Sequence, residues 1–270
     1  RIIISMLAGA AIAVSGVLFQ AVLKNPLADP GIIGISSGAS FTAVIITAFA
    51  PTLYFFTPIA AFAGGVIAFF MVYCLSWKGG LSPMRIILTG VAVNSLFTGL
   101  SSALNSMSGG DRTGVAAIVE ANITQKTWDD VMTLLPYVIA GLFLAMLFTQ
   151  ECNLLSLEDK TARSLGVNVN VTRIVISLVA VLLASISTAV AGAISFLGLI
   201  VPHIGRILVG SDHKMLLPFS AVFGAFTFLL ADTIGRTIAA PNEVSAAVIM
   251  SVVGGPFFIL LLRRSGKYGK

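Results

Sequence analysis

An apolar stretch of small residues, interrupted by prolines, constrains the fold of this chain more than any other feature. Between Gly9 and Ser40 the sequence reads GAAIAVSGVLFQAVLKNPLADPGIIGISSGAS, so a helix is expected to stop at Asn25-Pro26 and to restart after Pro30. Small residues let helix backbones approach closely inside a bilayer. Backbone groups freed by a break at membrane depth must face protein or a water-filled path. The stretch therefore predicts a broken helix in a membrane bundle, which is a first indication of transport.

The amino-acid composition supports a membrane location for the whole chain. Of 270 residues, 57% are hydrophobic and only 10% are charged, whereas roughly a quarter of the residues in a soluble domain are charged. A helix needs about 20 apolar residues to cross the hydrocarbon core. We therefore predict an all-α polytopic membrane bundle, a single domain over residues 1–270. About nine apolar segments are expected, at 2–22, 33–49, 57–77, 84–107, 131–149, 172–191, 193–209, 216–235 and 244–262.

The distribution of basic residues predicts the orientation of this bundle. The net charge is +5, but the basic residues are spread over loops, so membrane topology explains them better than nucleic-acid binding does. If the segments alternate sides from Arg1, four basic residues fall on the Arg1 side and twelve on the other: Lys24, Lys78, Arg85, Lys160, Arg163, Arg173, Arg206, Lys214, Arg263, Arg264, Lys267 and Lys270. The positive-inside rule then places those twelve and the C-terminus in the cytoplasm, and Arg1 outside.

Residues that could carry chemistry are scarce. The two cysteines, Cys74 and Cys152, and the two histidines do not have metal-ligand spacing, so no metal or cofactor is expected. The sequence contains no G-x-x-x-x-G-K-[ST] loop, so a separate subunit would have to bind ATP if ATP drives the process. An intramembrane enzyme is not favoured. A secondary transporter driven by an ion gradient is the alternative; it would require ionisable residues at mid-membrane, where Asp232 is the nearest candidate.

A faint internal repeat connects two predicted breaks. The stretch Ala13–Gly16 is echoed by Ala189–Gly192, and a break is expected after each, at Asn25-Pro26 and at Pro202-His203. In the predicted topology the two preceding segments run in opposite directions. Inverted repeats with broken helices are typical of transporters, although a match this short also fits chance.

Two further motifs predict irregular helices. In GAISFLGLIVPHIGRILVG, residues 192–210, Gly192 turns the chain and Pro202 lacks the N–H that a helix ladder uses. His203 and Arg206 share one face, and we expect them to cap and anchor the broken helix rather than to relay protons. The stretch GGPFFILLLRR, residues 254–264, predicts a loosened helix anchored by its two arginines.

Together the motifs NPLADPGIIGISSG, FLGLIVPHIGR and GGPFF resemble the FecCD-type permeases of ABC importers for iron-siderophores, haem and cobalamin. The resemblance runs from Arg1 to about Lys270, and the chain resembles helices two to ten of the ten that are usual in the family. It implies a multi-pass permease of the cytoplasmic (inner) membrane that imports an iron chelate or cobalamin. The implied partners are a second permease, identical or homologous, two cytoplasmic ATPases and an extracytoplasmic substrate-binding protein.

The resemblance also implies roles at the outer rim. Arg1 and Arg236 correspond to arginines that receive acidic residues of the binding protein, a contact that charge-assisted hydrogen bonds suit. The alternative for Arg236 is a local pair with Asp232 on the same helix face. The alternative for Arg1 is an anchor at the membrane interface.

At the inner side the resemblance implies a gate and a coupling helix. Asn25 and Leu27 correspond to the gate, with Pro83 and Met84 on the facing side; ordinary packing at a helix end is the alternative. The segment 155–170, LSLEDKTARSLGVNVN, resembles the helix that docks on the ATPase, and a solvated loop is the alternative. Its apolar anchors are expected to be Leu155, Leu165 and Val167, and its predicted coupling residues are Leu157, Glu158, Asp159, Ala162, Arg163, Leu165 and Gly166.

Overall fold

The computed structural model describes residues 1–76, 83–107, 115 and 118–265, and within them it is helical, without a β-strand. The helices are α1 Ile2–Leu23, α2 Ile35–Phe49, α3 Thr57–Ser76, α4 Pro83–Met107, α5 Trp128–Leu147, α6 Thr149–Leu155, α7 Asp159–Ser164, α8 Val169–Ala191, α9 Leu197–Val209, α10 His213–Ile238 and α11 Ala246–Ser265; a 3₁₀ segment, Pro51–Phe56, precedes α3. In the described part of the chain, six helices are long and apolar enough to cross a membrane, namely α1, α3, α4, α5, α8 and α10, while α2, α9 and α11 are shorter apolar helices. The predicted all-α membrane bundle is confirmed.

Helices α1 and α8 form the centre of the bundle. In each of them, 78% of the membrane-length apolar window is buried. Helix α1 packs against α10, α8, α9 and α5, and α8 also packs against α3 and α5. Small residues permit this close packing: a Cβ atom on Gly16 would lie 2.0 Å from the carbonyl oxygen of Gly198 in α9, and one on Gly9 would lie 2.4 Å from that of Gly224 in α10.

Ion pairs define the two ends of the bundle. The guanidinium of Arg1 lies 2.8 Å from the carboxylate of Asp232, near the C-terminal end of α10; we call this side the Arg1 end. Lys24 lies 2.8 Å from Asp159, which in turn lies 2.9 Å from Arg173 at the start of α8; we call this side the Lys24 end. Helix α1 therefore runs from the Arg1 end to the Lys24 end, and α8 runs the opposite way.

Both central helices end at a residue with a left-handed backbone. The break predicted at Pro26 is present: Lys24 has φ 49°, and α2 begins only after Gly34, with φ 88°. The turn predicted at Gly192 is also present, with φ 77°, and α9 begins after Phe196, with φ 65°. Each long central helix is thus followed by an irregular segment and a short helix, and the two units run in opposite directions, as the repeat predicts.

The second break was predicted at the wrong place. Helix α9 continues through Pro202 and His203, and the irregular segment lies before it, between Gly192 and Phe196. A proline at this position removes the donor for the carbonyl of Gly198, four residues earlier. The side chain of Gln20 replaces that donor, because its Nε2 lies 3.1 Å from the Gly198 oxygen. A neighbouring helix thus satisfies the backbone group that the proline frees, and α9 stays unbroken.

Candidate functional site

The irregular link between α1 and α2, residues 24–34, is called the gate loop. The Oδ1 atom of Asn25 accepts a hydrogen bond from the backbone N–H of Leu27 at 3.0 Å. Asp29 is fully buried, and its Oδ1 accepts hydrogen bonds from the N–H groups of Gly31 at 2.8 Å and Ile32 at 3.2 Å. These side chains pair backbone donors that would otherwise be orphaned at membrane depth. The loop therefore has a defined shape without being helical.

The gate loop lies against the first turn of α9. A Cβ atom on Gly198 would be 3.0 Å from Oδ2 of Asp29, so the carboxylate faces the N-terminal end of this short helix, where negative charge is favoured. Gln20 Nε2 joins the two segments, because it donates to the carbonyl of Ala28 at 3.2 Å as well as to that of Gly198. The short helix and the gate loop are thus held together by buried polar groups.

The two predicted residues of α9 contact different neighbours. Arg206 Nη1 lies 2.5 Å from Oε1 of Gln20 in α1. The ring of His203 meets the ring of Phe257 in α11 edge-on, with centroids 5.6 Å apart. Arg206 thus contacts α1 and His203 contacts α11, and their role as anchors of α9 stays a prediction.

The predicted gate residues face the beginning of α4. Asn25 and Leu27 line a narrow, largely apolar cleft together with Ile86 and Ile87 of α4. Helix α4 starts at Pro83. The side chains of Pro83 and Met84 lie outside the described residues, so their part in the gate stays a prediction.

Helix α4 is the least buried of the six membrane-length helices. Only 28% of its apolar window is buried. One of its faces carries the exposed side chains of Ser95, Thr98, Ser102 and Ser106, which follow one another at the three- and four-residue spacing of one helical face. We call these four residues the α4 hydroxyl stripe. Leu88, at 63% exposed, lies on the same side of the helix two turns before Ser95, whereas Leu96, at 50% exposed, lies on the adjacent face.

The predicted coupling helix is shorter than expected. It is α7, with six residues from Asp159 to Ser164, whereas the expectation was an element over 155–170. Leu155 is buried at the end of α6, and Ala162 is the buried residue of α7. Leu157 and Leu165 are 40% and 59% exposed, so the side chain of Leu165 projects from the Lys24 end and does not pack into the bundle. Its role as an apolar anchor stays a prediction.

The polar coupling residues surround the first turn of α7. Glu158 is the N-cap residue, Arg163 is exposed, and Gly166 has φ 85°, so the chain leaves the helix through a left-handed residue. Asp159 accepts hydrogen bonds from Lys24 at 2.8 Å and from Arg173 at 2.9 Å. The hydrogen bond from Lys24 holds the pKa of the Asp159 carboxyl below its usual range, and the charge of Arg173 adds to this effect.

At the Arg1 end, the side chain of Arg1, a predicted docking residue, binds other residues of the same chain. Its guanidinium binds Asp232 at 2.8 Å, Glu243 at 2.6 Å and Thr124 at 3.3 Å, and only 16% of its side chain is exposed. Arg236 is 36% exposed, and its Nε lies 3.7 Å from Asp232, four residues earlier in α10. The local pair weighed for Arg236 is therefore present, and Arg236 offers more free surface than Arg1.

Within the described part of the chain, no group of three His, Cys, Asp or Glu side chains is arranged to hold a metal ion. The polar groups at both ends of the bundle form contacts between helices and within loops.

The family model described as the FecCD transport family matches residues 1–264. The chain belongs to this family. It is a membrane transport permease.

Individual relatives agree with this assignment. The chain is 41% identical, over 265 residues, to the protein of Staphylococcus aureus named "Probable heme-iron transport system permease protein IsdF"; the match covers 98% of this chain and 80% of that protein. Among solved structures, a metal-chelate type ABC transporter in an inward-facing conformation superposes with a TM-score of 0.83 at 27% identity, covering 97% of this chain and 86% of that one. PsaBC from Streptococcus pneumoniae, at 19% identity and a TM-score of 0.69 over 96% of this chain and 89% of that one, shares the fold.

Sequence reasoning missed three residues that hold this family member together. Gln20 and Asp29 are polar residues inside apolar stretches. Their side chains are only 3% and 0% exposed, so each would destabilise the fold if its hydrogen bonds were not made. Lys24 was counted only as a basic loop residue. The signal for Gln20 was available, since a lone amide in a membrane-depth helix needs a partner, but the identity of that partner depends on the fold.

Proposed function

We propose that this permease lines the translocation path of an ABC importer for an iron chelate, with haem as the first candidate. A second permease, identical or homologous, forms the other wall of the path. Two ATPases at the Lys24 end supply the driving force, and an extracytoplasmic binding protein delivers the substrate to the Arg1 end. The Lys24 end accordingly faces the cytoplasm, as the excess of basic residues in its loops suggests.

The observation that carries this proposal is the α4 hydroxyl stripe. A membrane-length helix that exposes Ser95, Thr98 and Ser102 on one face would leave hydroxyls in hydrocarbon if that face met lipid, and polar side chains inside membranes face protein or water instead. The beginning of the same helix borders the cleft that Leu27 and Asn25 line. A path along the stripe would therefore lead to the gate loop.

The ATPase is argued from the exposed side of α7. Leu157 and Leu165 are apolar and exposed at 40% and 59%, next to the charged side chains of Glu158 and Arg163. Apolar anchors with a polar rim suit insertion into a groove of a soluble protein. For the binding protein, we assign the larger share of docking to Arg236, since its guanidinium is more exposed than that of Arg1.

The substrate is argued from the relative in Staphylococcus aureus, whose name states heme-iron transport and which is 41% identical to this chain. The alternative, a secondary transporter driven by an ion gradient, gains no support from the relatives. Asp232, the ionisable residue that came nearest to it, is paired with Arg1 at 2.8 Å, which fits a structural role.

The test is transport by the assembled complex. The permease would be purified with an ATPase and a binding protein of the same transport system and reconstituted in liposomes, with ATP on the ATPase side. We expect uptake of haem, measured against a ferric siderophore and cobalamin, that requires ATP hydrolysis and persists when ionophores collapse proton and sodium gradients. Uptake that follows an ion gradient and ignores ATP would refute the proposal.

A further inference from the structure

We propose that Lys24 transmits the movement of α7 to the gate loop through its contacts with Asp159 and Leu157. This inference rests on the proposed function, since it assigns a residue to the step between the ATPase and the gate. The Nζ atom of Lys24 donates to Oδ1 of Asp159 at 2.8 Å and to the carbonyl oxygen of Leu157. We call this pair of contacts the Lys24 tie.

Lys24 is next in sequence to a predicted gate residue, so the Lys24 tie connects α7 to the gate loop. Lys24 is the first residue after α1 and the first of the gate loop, with φ 49°. The next residue, Asn25, shapes the loop through its hydrogen bond to Leu27 and lines the cleft against α4. A displacement of the Lys24 side chain therefore reaches a predicted gate residue across one peptide bond.

The carboxylate of Asp159 connects α7 to both central helices. Its Oδ1 binds Lys24 at the end of α1 and Arg173 at the start of α8. These are the two most buried membrane-length helices of the described chain, at 78% each. The side chain of Asp159 can thus transmit a shift of α7 to both central helices.

Helix α7 has few other attachments that could carry the same movement. Ala162 is its buried residue, and the helix packs against its chain neighbours α6 and α8. The chain leaves it through Gly166, where a Cβ atom would meet no described atom within 4 Å. The Lys24 tie is therefore the side-chain link from α7 to the gate loop that the described residues provide.

The exposure of the tie suits a contact that breaks and forms again. The side chains of Lys24 and Asp159 are 32% and 39% exposed, and ion pairs with such access to water contribute little to stability. Removing the tie is therefore expected to leave the fold intact and to change how movement is transmitted. This separates its role from that of a structural salt bridge.

The experiment uses the reconstituted complex with its ATPase and binding protein, and it records haem uptake and ATP hydrolysis in the same liposomes. For Lys24→Met and Asp159→Asn we expect ATP hydrolysis to persist while haem taken up per ATP falls at least about fivefold, the lower range of measured coupling between sites. Lys24→Arg, which keeps the charge, should retain coupling.

The matched control is Lys214→Met, which removes an exposed lysine at the same end of the bundle, outside the tie. Thermal unfolding of each purified permease in detergent shows whether a variant still folds. Wild-type coupling in folded Lys24→Met, or an equal loss in Lys214→Met, overturns the role of Lys24 and leaves the importer intact. A parallel loss of unfolding temperature, hydrolysis and uptake would assign Lys24 to structure alone. Absence of ATP-driven uptake in the wild-type complex would refute the proposed function itself.

Discussion

Replacement of Gln20 by leucine tests how α9 tolerates its internal proline. Gln20 makes three hydrogen bonds, to the carbonyls of Gly198 and Ala28 and from Arg206. Hydrogen bonds between helices inside membrane proteins contribute about 0.6 kcal/mol on average and up to about 1.7 kcal/mol each. Leucine fills a similar volume without any of them, so the free energy of unfolding should fall by roughly 2–5 kcal/mol, three times that range.

The test becomes specific in a second background. Pro202→Ala supplies an N–H that can donate to the carbonyl of Gly198 along the helix. Gln20→Leu should therefore cost about 1 kcal/mol less when Pro202→Ala is also present, the size of one such hydrogen bond. Reversible unfolding in mixed detergent and dodecyl sulfate micelles, followed by far-ultraviolet circular dichroism, gives the four values of the double-mutant cycle.

The control variant is Gln150→Leu, at an exposed glutamine of α6, which should leave the unfolding midpoint unchanged. Equal costs for Gln20→Leu with and without the proline would refute the reasoning, because they would mean that Gln20 does not replace the donor missing at Pro202. A cost as small as that of the Gln150 variant would show that the buried hydrogen bonds of Gln20 do not stabilise the bundle.

Three further outcomes are expected. Gly16→Ala would place a Cβ atom 2.0 Å from a backbone oxygen of α9 and should cost about 1–3 kcal/mol, the range for overpacking. Gly99→Ala, with no atom within 4 Å of its Cβ, should not lower the unfolding temperature. A cysteine at Thr98 should react with a membrane-impermeant thiol reagent in the assembled complex, while one at Val222, an exposed apolar position of α10, should not; equal labelling would remove the hydroxyl stripe from the path. The pKa of Asp159 is lowered, so the ionised carboxylate contributes to stability above the ordinary carboxyl pKa of about 4, and this contribution is lost as pH falls through the lowered pKa. The difference in unfolding temperature between wild type and Asp159→Asn should therefore stay constant from neutral pH down to about pH 5. It should vanish in stronger acid.

The sequence predicted the features that depend on local chemistry. The break near Pro26 and the turn at Gly192 follow from residues whose backbone preferences act within one or two positions. The bundle itself follows from the apolar runs. For the same reason the prediction failed at Pro202: the local rule gives a break, but the donor that repairs the ladder comes from Gln20, 182 positions away in the sequence. No local sequence pattern predicts the contact between Gln20 and Gly198.

The candidate site shows the same division. The short polar segment around Asp159 was predicted as the coupling helix, yet its extent and its tie to Lys24 depend on how α1 and α8 pack. The pair of Arg236 with Asp232 could be foreseen from helical spacing. The pairing of Arg1 with Asp232 and Glu243 could not, since those residues are joined only when α1 and α10 lie side by side.

The ion pairs at the two ends of the bundle differ in their access to water. The carboxylate of Asp232 is fully buried against Arg1, whereas Asp159 and Lys24 are both about one-third exposed. Dissolved salt weakens interactions between exposed charges, with a screening length of about 8 Å at physiological ionic strength, and weakens interactions between buried charges much less. The buried pair of Arg1 and Asp232 is therefore largely insensitive to salt, whereas the contact between Lys24 and Asp159 weakens as the salt concentration rises on its side of the membrane.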